Sequence, residues 1–78
     1  VSHKAIILRK VIIEKKDPAA VARETNHSQK SVDRYLYDYH RVKTVYDHNQ
    51  DIDYIHLVTS LSKNLIKQYV EIISYETN

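Results

Sequence analysis

The chain lacks several residue types whose chemistry would define a function. Cysteine is absent, which excludes disulfide bridges, thiolate metal sites and a cysteine nucleophile. Glycine is also absent, and the phosphate-binding loops of P-loop and dinucleotide-binding proteins require it. The longest uncharged apolar run covers only residues 5–8, so the sequence predicts neither a membrane span nor a signal peptide. Methionine is missing and the first residue is Val, which is typical of a processed product or a fragment.

What is present predicts one folded domain, residues 1–78, with charge that is unevenly distributed. Of the 78 residues, 42% are hydrophobic and 28% are charged, as in a folded chain. Residues 1–44 carry ten Lys and Arg and five acids, which is +5, whereas residues 45–78 carry two Lys and five acids, which is −3. This asymmetry favours an anionic partner for the first half. The alternative is chance clustering of solvated charges.

Periodicity and capping signals predict an all-α fold of about five helices. The first helix starts at the cap residue Ser2 and ends near residue 16. Asp17-Pro18 opens a short helix, Asn26 turns the chain in the left-handed conformation, and Ser28 caps a long helix over about 29–46. A short helix follows from residue 52, and Ser62 caps a last helix whose end, residues 76–78, frays. The long helix has an apolar stripe made of Val32, Tyr35, Leu36, Tyr39, Val42 and Tyr46.

Two segments of the chain, residues 21–36 and 55–70, repeat one pattern at an offset of 34 residues. Each is a short helix, a turn and a longer helix, which is the helix-turn-helix pattern. Copy one covers about 18–46, copy two covers about 51–75, and the long third helix is shared between them. A tetratricopeptide array has a similar period but needs Gly and more than two units. The matched polar and aromatic residues are Thr25 with Thr59, Ser28 with Ser62 and Tyr35 with Tyr69.

The two copies differ where their helices should cross closely, because Ala22 in copy one corresponds to the larger, polar His56 in copy two. We therefore expect copy two to be less regular or splayed. Apolar surface exposed in this way would be covered by a second subunit, through Leu57, Leu61 and Ile72. The alternative is a monomer in which the last helix packs on the first through Ile6 and Val11. In both, Tyr35 and Tyr69 are predicted core residues.

Several stretches together carry a family resemblance: residues 2–4, 21–28, 32–36 and 41–42, then Ser62, Leu65, Ile66 and Tyr69. They resemble an uncharacterised family of archaeal and bacterial proteins that contains a repeated helix-turn-helix. That family is similar to the DNA-binding parts of insertion-sequence transposases. The resemblance implies a homeodomain-like, DNA-binding fold and no assigned activity. This chain departs from the family at Asn26, Asn49 and Ser60, where Gly is usual, and at His56, where Ala is usual.

The exposed start of the second helix of each copy is the predicted DNA contact, because that part of a helix-turn-helix enters the major groove. Gln suits adenine, Arg suits guanine, and Lys and Ser suit phosphate. The alternative is a solvated helix face. In copy one the face comprises Ser28, Gln29, Lys30, Asp33, Arg34 and Tyr37, and flanking phosphates would meet Arg23, Arg41 and Lys43. In copy two it comprises Ser62, Lys63, Asn64, Lys67 and Gln68.

No other chemistry stands out. The five His residues lack the close spacing of metal ligands. The aspartates at 47, 51 and 53 lack the Gly and the closing Glu of a calcium loop. Tyrosine recombination would need several Arg and His around one Tyr. We therefore expect no enzyme activity, no cofactor and no small-molecule substrate.

The function expected from the sequence is sequence-specific binding of double-stranded DNA in the cytoplasm. The chain would act as a transcription regulator or as the targeting module of a mobile-element protein. The competing interpretation is a protein-interaction or dimerisation domain that uses the same scaffold without touching DNA.

Overall fold

The computed structural model describes residues 3–77, and within that range the chain folds into five helices with no strand. The predicted all-α fold class is therefore confirmed. Helix α1 (His3–Leu8) continues into a π-helical segment (Arg9–Ile13). It is followed by α2 (Pro18–Glu24), α3 (Gln29–His48), α4 (Ile52–Thr59) and α5 (Lys63–Thr77). The predicted cap Ser2 lies outside the described residues.

The π-helical segment is a feature that the sequence pattern did not predict. The amide of Glu14 donates to the carbonyl of Arg9 at 3.1 Å, a hydrogen bond that spans five residues instead of four. Lys15 then takes a positive φ of 59°, which ends the helix and turns the chain toward α2. The wide turn is compatible with packing, because Ile12 within it is buried.

The predicted helix starts and turns are confirmed. The Asp17 carboxylate accepts a hydrogen bond from the amide of Ala20 at the start of α2. The Ser28 hydroxyl accepts from the amide of Ser31 at the start of α3, and Ser62 does the same for α5. Asn26 has the left-handed backbone expected for it, with φ of 57°.

The two repeated segments have the same local hydrogen bonds. In each, a threonine hydroxyl donates to the carbonyl four residues earlier: Thr25 to Val21 at 2.6 Å and Thr59 to Ile55 at 2.8 Å. In each, the next residue has positive φ, and Ser60 with φ of 63° corresponds to Asn26. A serine cap then starts the longer helix. The sequence repeat is therefore a repeat of backbone conformation.

Helix α3 is the central element, since it contacts α1, α2, α4 and α5. At 20 residues it is about 30 Å long, and it spans most of the 34 Å long axis of the molecule. It lies between two groups of buried side chains. The main core is formed by Ala5, Leu8, Ile12, Tyr39, Val42, Ile55, Ile66, Tyr69, Ile72 and Ile73. The smaller core beside α2 is formed by Ile7, Val21, Ala22 and Val32.

The first described residues of α1 and the first turn of α5 lie side by side, next to the second turn of α3. His3 and Lys4 lie beside Tyr35 of α3 and beside Asn64 in the first turn of α5. Further along, Arg9 follows α1 and lies 3.9 Å from Glu71 of α5. The three longer helical elements therefore run in roughly the same direction.

The structure corrects several packing predictions. Tyr69 is fully buried, but Tyr35 is only partly buried because its ring lies at the edge, beside His27 and under the Lys4 ammonium. Ile72 is buried in the main core, so it offers no surface to a second subunit. Ile6 is exposed, whereas Val11 is partly buried against the main core as predicted. Ala5 and Leu8 of α1 and Ile12 of the π-helical segment are buried in that core together with residues of α5.

Two further expectations were wrong for local reasons. His56 does not obstruct the crossing of α4 and α5, because it is exposed and its Nδ1 lies 2.6 Å from the carbonyl of Leu61. The matching Ala22 is buried in the smaller core, together with Ile7. Fraying was also predicted for residues 76–78, but the Glu76 carboxylate accepts hydrogen bonds from Tyr39 at 2.8 Å and Lys43 at 2.9 Å. Asn78 lies outside the described residues.

Candidate nucleic-acid interface

The turn between α2 and α3 fixes how α3 emerges from the molecule. The amide of His27 donates to the carbonyl of Ala22 at 2.8 Å, which closes the end of α2. Val21 and Val32 are both fully buried and hold the two helices against each other. The first turns of α3 therefore project from a supported scaffold.

The outer side of α3 carries a stripe of basic and aromatic side chains at spacings of four, three and four residues: Lys30, Arg34, Tyr37 and Arg41. Lys30 and Arg34 are exposed, and no described side chain forms an ion pair or hydrogen bond with them. Tyr37 is 65% exposed. Its ring lies 5.7 Å from the Arg41 guanidinium. Such a stripe can offer donors to phosphates and to base edges.

Two other predicted contact residues at this end are already engaged within the helix. The Gln29 amide donates to the Asp33 carboxylate at 3.1 Å, and the Ser28 hydroxyl donates to Ser31 at 2.9 Å. Ser28 is a cap and stays near the backbone. Asp33 holds the Gln29 side chain along the helix surface, so a base contact by Gln29 requires this bond to open.

The three predicted flanking contacts divide into one available cation and two structural ones. Arg23, at the end of α2, is exposed and has no partner among the described residues. Arg41 donates to the carbonyl of Thr59 at 2.9 Å, and this bond ties α3 to α4. Arg41 also lies 3.4 Å from Asp38 of its own helix. Lys43 is 2.9 Å from Glu76 and ties α3 to α5.

The corresponding face of copy two is less available. Lys63 lies 2.7 Å from Asp53, and the pKa of this ammonium is raised by its hydrogen bond to that carboxylate. Asn64 and Gln68 line a hollow rather than an outer face. Lys67 is exposed and has no described partner. One cation thus remains free on this helix face, against two on the face of α3.

That hollow brings together residues that the sequence reasoning did not connect. It measures about 340 Å³ and lies where α1 and α5 begin, next to the second turn of α3, lined by His3, Lys4, Tyr35, Ser62, Asn64, Leu65 and Gln68. The His3 ring is 6.1 Å from that of His27, next to the cap of α3. His3 and Lys4 are therefore neighbours of the candidate interface. No local pattern signals this, because it depends on how α1 packs.

Some of the other basic side chains are paired with carboxylates. Glu24 accepts hydrogen bonds from both Lys10 and Lys16, at 2.9 and 3.2 Å. These bonds lower the pKa of the Glu24 carboxyl, and the same contact raises the pKa of Lys10. In residues 3–77 there is no group of three or more His, Asp or Glu placed to hold a metal ion. No helix in that range is both long enough and apolar enough to cross a membrane.

Comparison with known proteins assigns the chain to a family. The model of the family described as "Protein of unknown function (DUF1670)" matches residues 1–72, so the chain belongs to that family. The predicted membership of an uncharacterised family is confirmed at this level. No curated protein and no solved structure matches the chain.

Proposed function

We propose that the chain binds double-stranded DNA sequence-specifically through α2, its turn and α3, acting as a helix-turn-helix. In this arrangement the start of α3 enters the major groove and α2 crosses the backbone. The protein would be a transcription regulator or the targeting module of a mobile-element protein. The resemblance to the DNA-binding parts of transposases supports the second role. The predicted cytoplasmic location is part of the same proposal.

One observation carries this proposal: three cations around the start of α3 lack carboxylate partners. Arg23, Lys30 and Arg34 are exposed and unpaired among the described residues. Of the nine other basic residues, six lie within 3.9 Å of a carboxylate oxygen, whereas Lys4, Lys15 and Lys67 do not. Those six are Arg9, Lys10, Lys16, Arg41, Lys43 and Lys63. Unpaired cations grouped around one helix start can neutralise the phosphates of a duplex.

The positions of these side chains indicate separate roles. Arg34 lies one turn into α3, where a bidentate guanidinium can read guanine. Lys30 and Arg23 lie nearer the entry of the helix and suit phosphates. Arg41 and Lys43 would have to leave Asp38 and Glu76 to reach DNA, so we assign them structural roles.

Salt dependence tests DNA binding itself. Fluorescence anisotropy with a DNA duplex of random sequence measures the association constant. The logarithm of this constant should fall linearly with the logarithm of the salt concentration. The slope is about −0.9 for each phosphate neutralised, so three cations predict a slope of about −2.7. Binding that is absent at low salt would rule the proposal out.

Base recognition requires a matched pair of variants. Arg34→Gln should weaken binding to a selected site by about 1–3 kcal/mol and relax preference at one base pair. Lys15→Gln makes the same charge change at an exposed, unpaired lysine beyond the π-helical segment, and should have little effect. Equal losses in both variants would indicate a general charge effect instead of a base contact.

The competing function, a protein-interaction domain that does not touch DNA, is supported by a different observation. The side of α4 that faces away from the core exposes large apolar residues. If DNA binding is absent, this function becomes the better proposal.

A further inference from the structure

Helix α4 is apolar on two opposite sides, and only one of them is covered. Ile55 and Thr59 are buried against the rest of the chain. On the other side Tyr54, Leu57 and Val58 are 44%, 77% and 48% exposed. Asp53 and His56 are exposed on the remaining, polar side of the helix. A cluster of exposed large apolar residues bounded by polar ones marks an interaction site. We refer to Tyr54, Leu57 and Val58 as the outer face of α4.

A groove runs beside this face, between α3 and α4. It consists of two adjoining hollows of about 320 and 420 Å³, which share Thr44, Val45 and Val58 as lining residues. Tyr37 lies at one end of the groove and Tyr54 at the other. Its walls are mainly side-chain carbon. The groove is therefore suited to an apolar side chain from outside.

The outer face of α4 and the groove together form one surface patch. This patch carries a projection as well as the groove. Leu57 is the most exposed of the large apolar residues in the described chain, and it is adjacent to Val58, which lines the groove. An interface with two-fold symmetry uses the same patch on both subunits, so it needs a projection and a recess on that patch. Leu57 of each copy can enter the groove of the other.

The charges at the two ends of the groove also suit a two-fold axis. His40 and Arg41 line the end toward the start of α3, where Arg41 is paired with Asp38 and the exposed, unpaired Arg34 adds a positive charge one turn before Tyr37. At the other end, which His48 lines, two exposed aspartates lie nearby: Asp47 in the last turn of α3 and Asp51, the cap of α4. A second copy placed antiparallel brings the basic end of each groove to the acidic end of the other. A parallel arrangement would bring like charges together.

We propose that this patch is the interface of a homodimer, in which the outer face of α4 and the groove are covered by a second copy of this chain. The dimer does not depend on the proposed DNA binding. If both proposals hold, the two-fold axis of the dimer passes near Thr44. The Lys30–Arg34 segment lies about 12 residues from Thr44 along each α3, so the two segments are roughly 36 Å apart. One turn of DNA is about 34–36 Å.

Sedimentation equilibrium without DNA tests the dimer. The wild-type chain should approach twice its 9.2 kDa monomer mass as its concentration rises from low micromolar to hundreds of micromolar. Leu57→Glu should remain at the monomer mass throughout that range. Tyr75→Glu, a change at an exposed aromatic outside the patch, is the matched control and should dimerise normally. Circular dichroism establishes that both variants are folded.

A single cysteine provides a second measurement, since the chain has none of its own. Thr44→Cys, in the shared part of the groove, should form a disulfide-linked dimer on mild oxidation, whereas Tyr75→Cys should not. A monomer at every concentration would overturn the proposal and leave the patch to a different protein. Dimerisation of Leu57→Glu at the wild-type concentration would also overturn it and place the interface elsewhere.

Discussion

Tyr39 and Tyr69 are buried side by side in the main core, with their rings edge to face at 6.1 Å. Their hydroxyl groups differ. That of Tyr39 donates to the Glu76 carboxylate at 2.8 Å, whereas that of Tyr69 has no partner among the described groups. Burial raises the pKa of both phenols, so both stay neutral. A buried hydroxyl without a partner costs free energy instead of contributing it.

This difference predicts opposite results for one substitution. Tyr39→Phe should lower the free energy of unfolding by about 1–2 kcal/mol, because a hydrogen bond to a charged group is lost. Tyr69→Phe should be neutral or slightly stabilising, since the ring remains and the unpaired hydroxyl is removed. Urea denaturation of the two variants measures both. A larger loss for Tyr69→Phe would show that its hydroxyl has a partner in solution.

The same carboxylate makes stability depend on pH. Hydrogen bonds from Lys43 and then Tyr39 hold the pKa of the Glu76 carboxyl below its ordinary value of 4.5. Its contribution to stability is therefore complete above that ordinary value and is lost as pH falls through the lower pKa of the folded state. Thermal unfolding from about pH 6 to about pH 3 should show this loss.

A carboxamide at this position removes the titration. Glu76→Gln should lower the melting temperature near neutral pH by a few degrees, the scale of about 1 kcal/mol in a domain of this size. Its melting temperature should then fall less steeply in acid than that of the wild type. Glu71→Gln removes an exposed carboxylate 3.9 Å from Arg9 and is the control. If it flattens the acid profile as much as Glu76→Gln, the effect belongs to net charge.

At the scale of the helices, the two repeated turns use different residues in one strained conformation. Asn26 and Ser60 both have positive φ, near 60°. Asn tolerates this conformation better than Ser, which pays a cost of the order of 1–2 kcal/mol when left-handed. Ser60→Gly should therefore raise the free energy of unfolding by about 0.5–1 kcal/mol, after allowance for the greater entropy of Gly when unfolded. Asn26→Gly should raise the free energy of unfolding by less. Chemical denaturation of both variants measures the difference.

Helix boundaries were largely predictable from the sequence because they depend on local signals. Asp17, Ser28 and Ser62 cap helices as their types and positions indicated. The π-helical segment was not predictable, because one extra residue in a turn is compatible with the same apolar pattern. The predicted end of α3 near residue 46 fell two residues short, since His48 still has helical backbone.

The candidate interface was predictable only in part. The exposure of Lys30 and Arg34 follows from their place opposite the apolar stripe of α3. The pairing of Lys63 with Asp53, and of Lys43 with Glu76, could not be read from the chain, because each joins residues of two helices. The partial exposure of Tyr35 was missed for the same reason, since it depends on where α1 begins.

At the scale of the molecule, a single connected core predicts a single unfolding transition. The partly buried Val11, Tyr35 and Leu36 pack against both the main and the smaller group of buried residues. Tyr69→Ala should cost about 3–5 kcal/mol, the usual range for a buried aromatic. A chain of 78 residues has only roughly 4–12 kcal/mol of stability in total.

The expected behaviour of Tyr69→Ala is therefore a strongly lowered, still cooperative transition. Helix content by circular dichroism and tyrosine fluorescence should be lost together. Tyr35→Ala, at the partly exposed equivalent position, is the matched comparison and should cost less. Two separate transitions in the wild type would mean that the repeated segments unfold independently.

The shared direction of α1, α3 and α5 gives the molecule an electrical polarity that its net charge of +2 does not describe. In antiparallel bundles neighbouring helix dipoles largely cancel. Here the amino ends of α3 and α5, each equivalent to about half a positive charge, point toward the end of the molecule that carries Lys4. If the proposed DNA binding holds, the field of this end would orient the protein before contact, so that many encounters begin with this end facing the DNA. The arrangement of the helices would then affect the rate of association as well as the affinity.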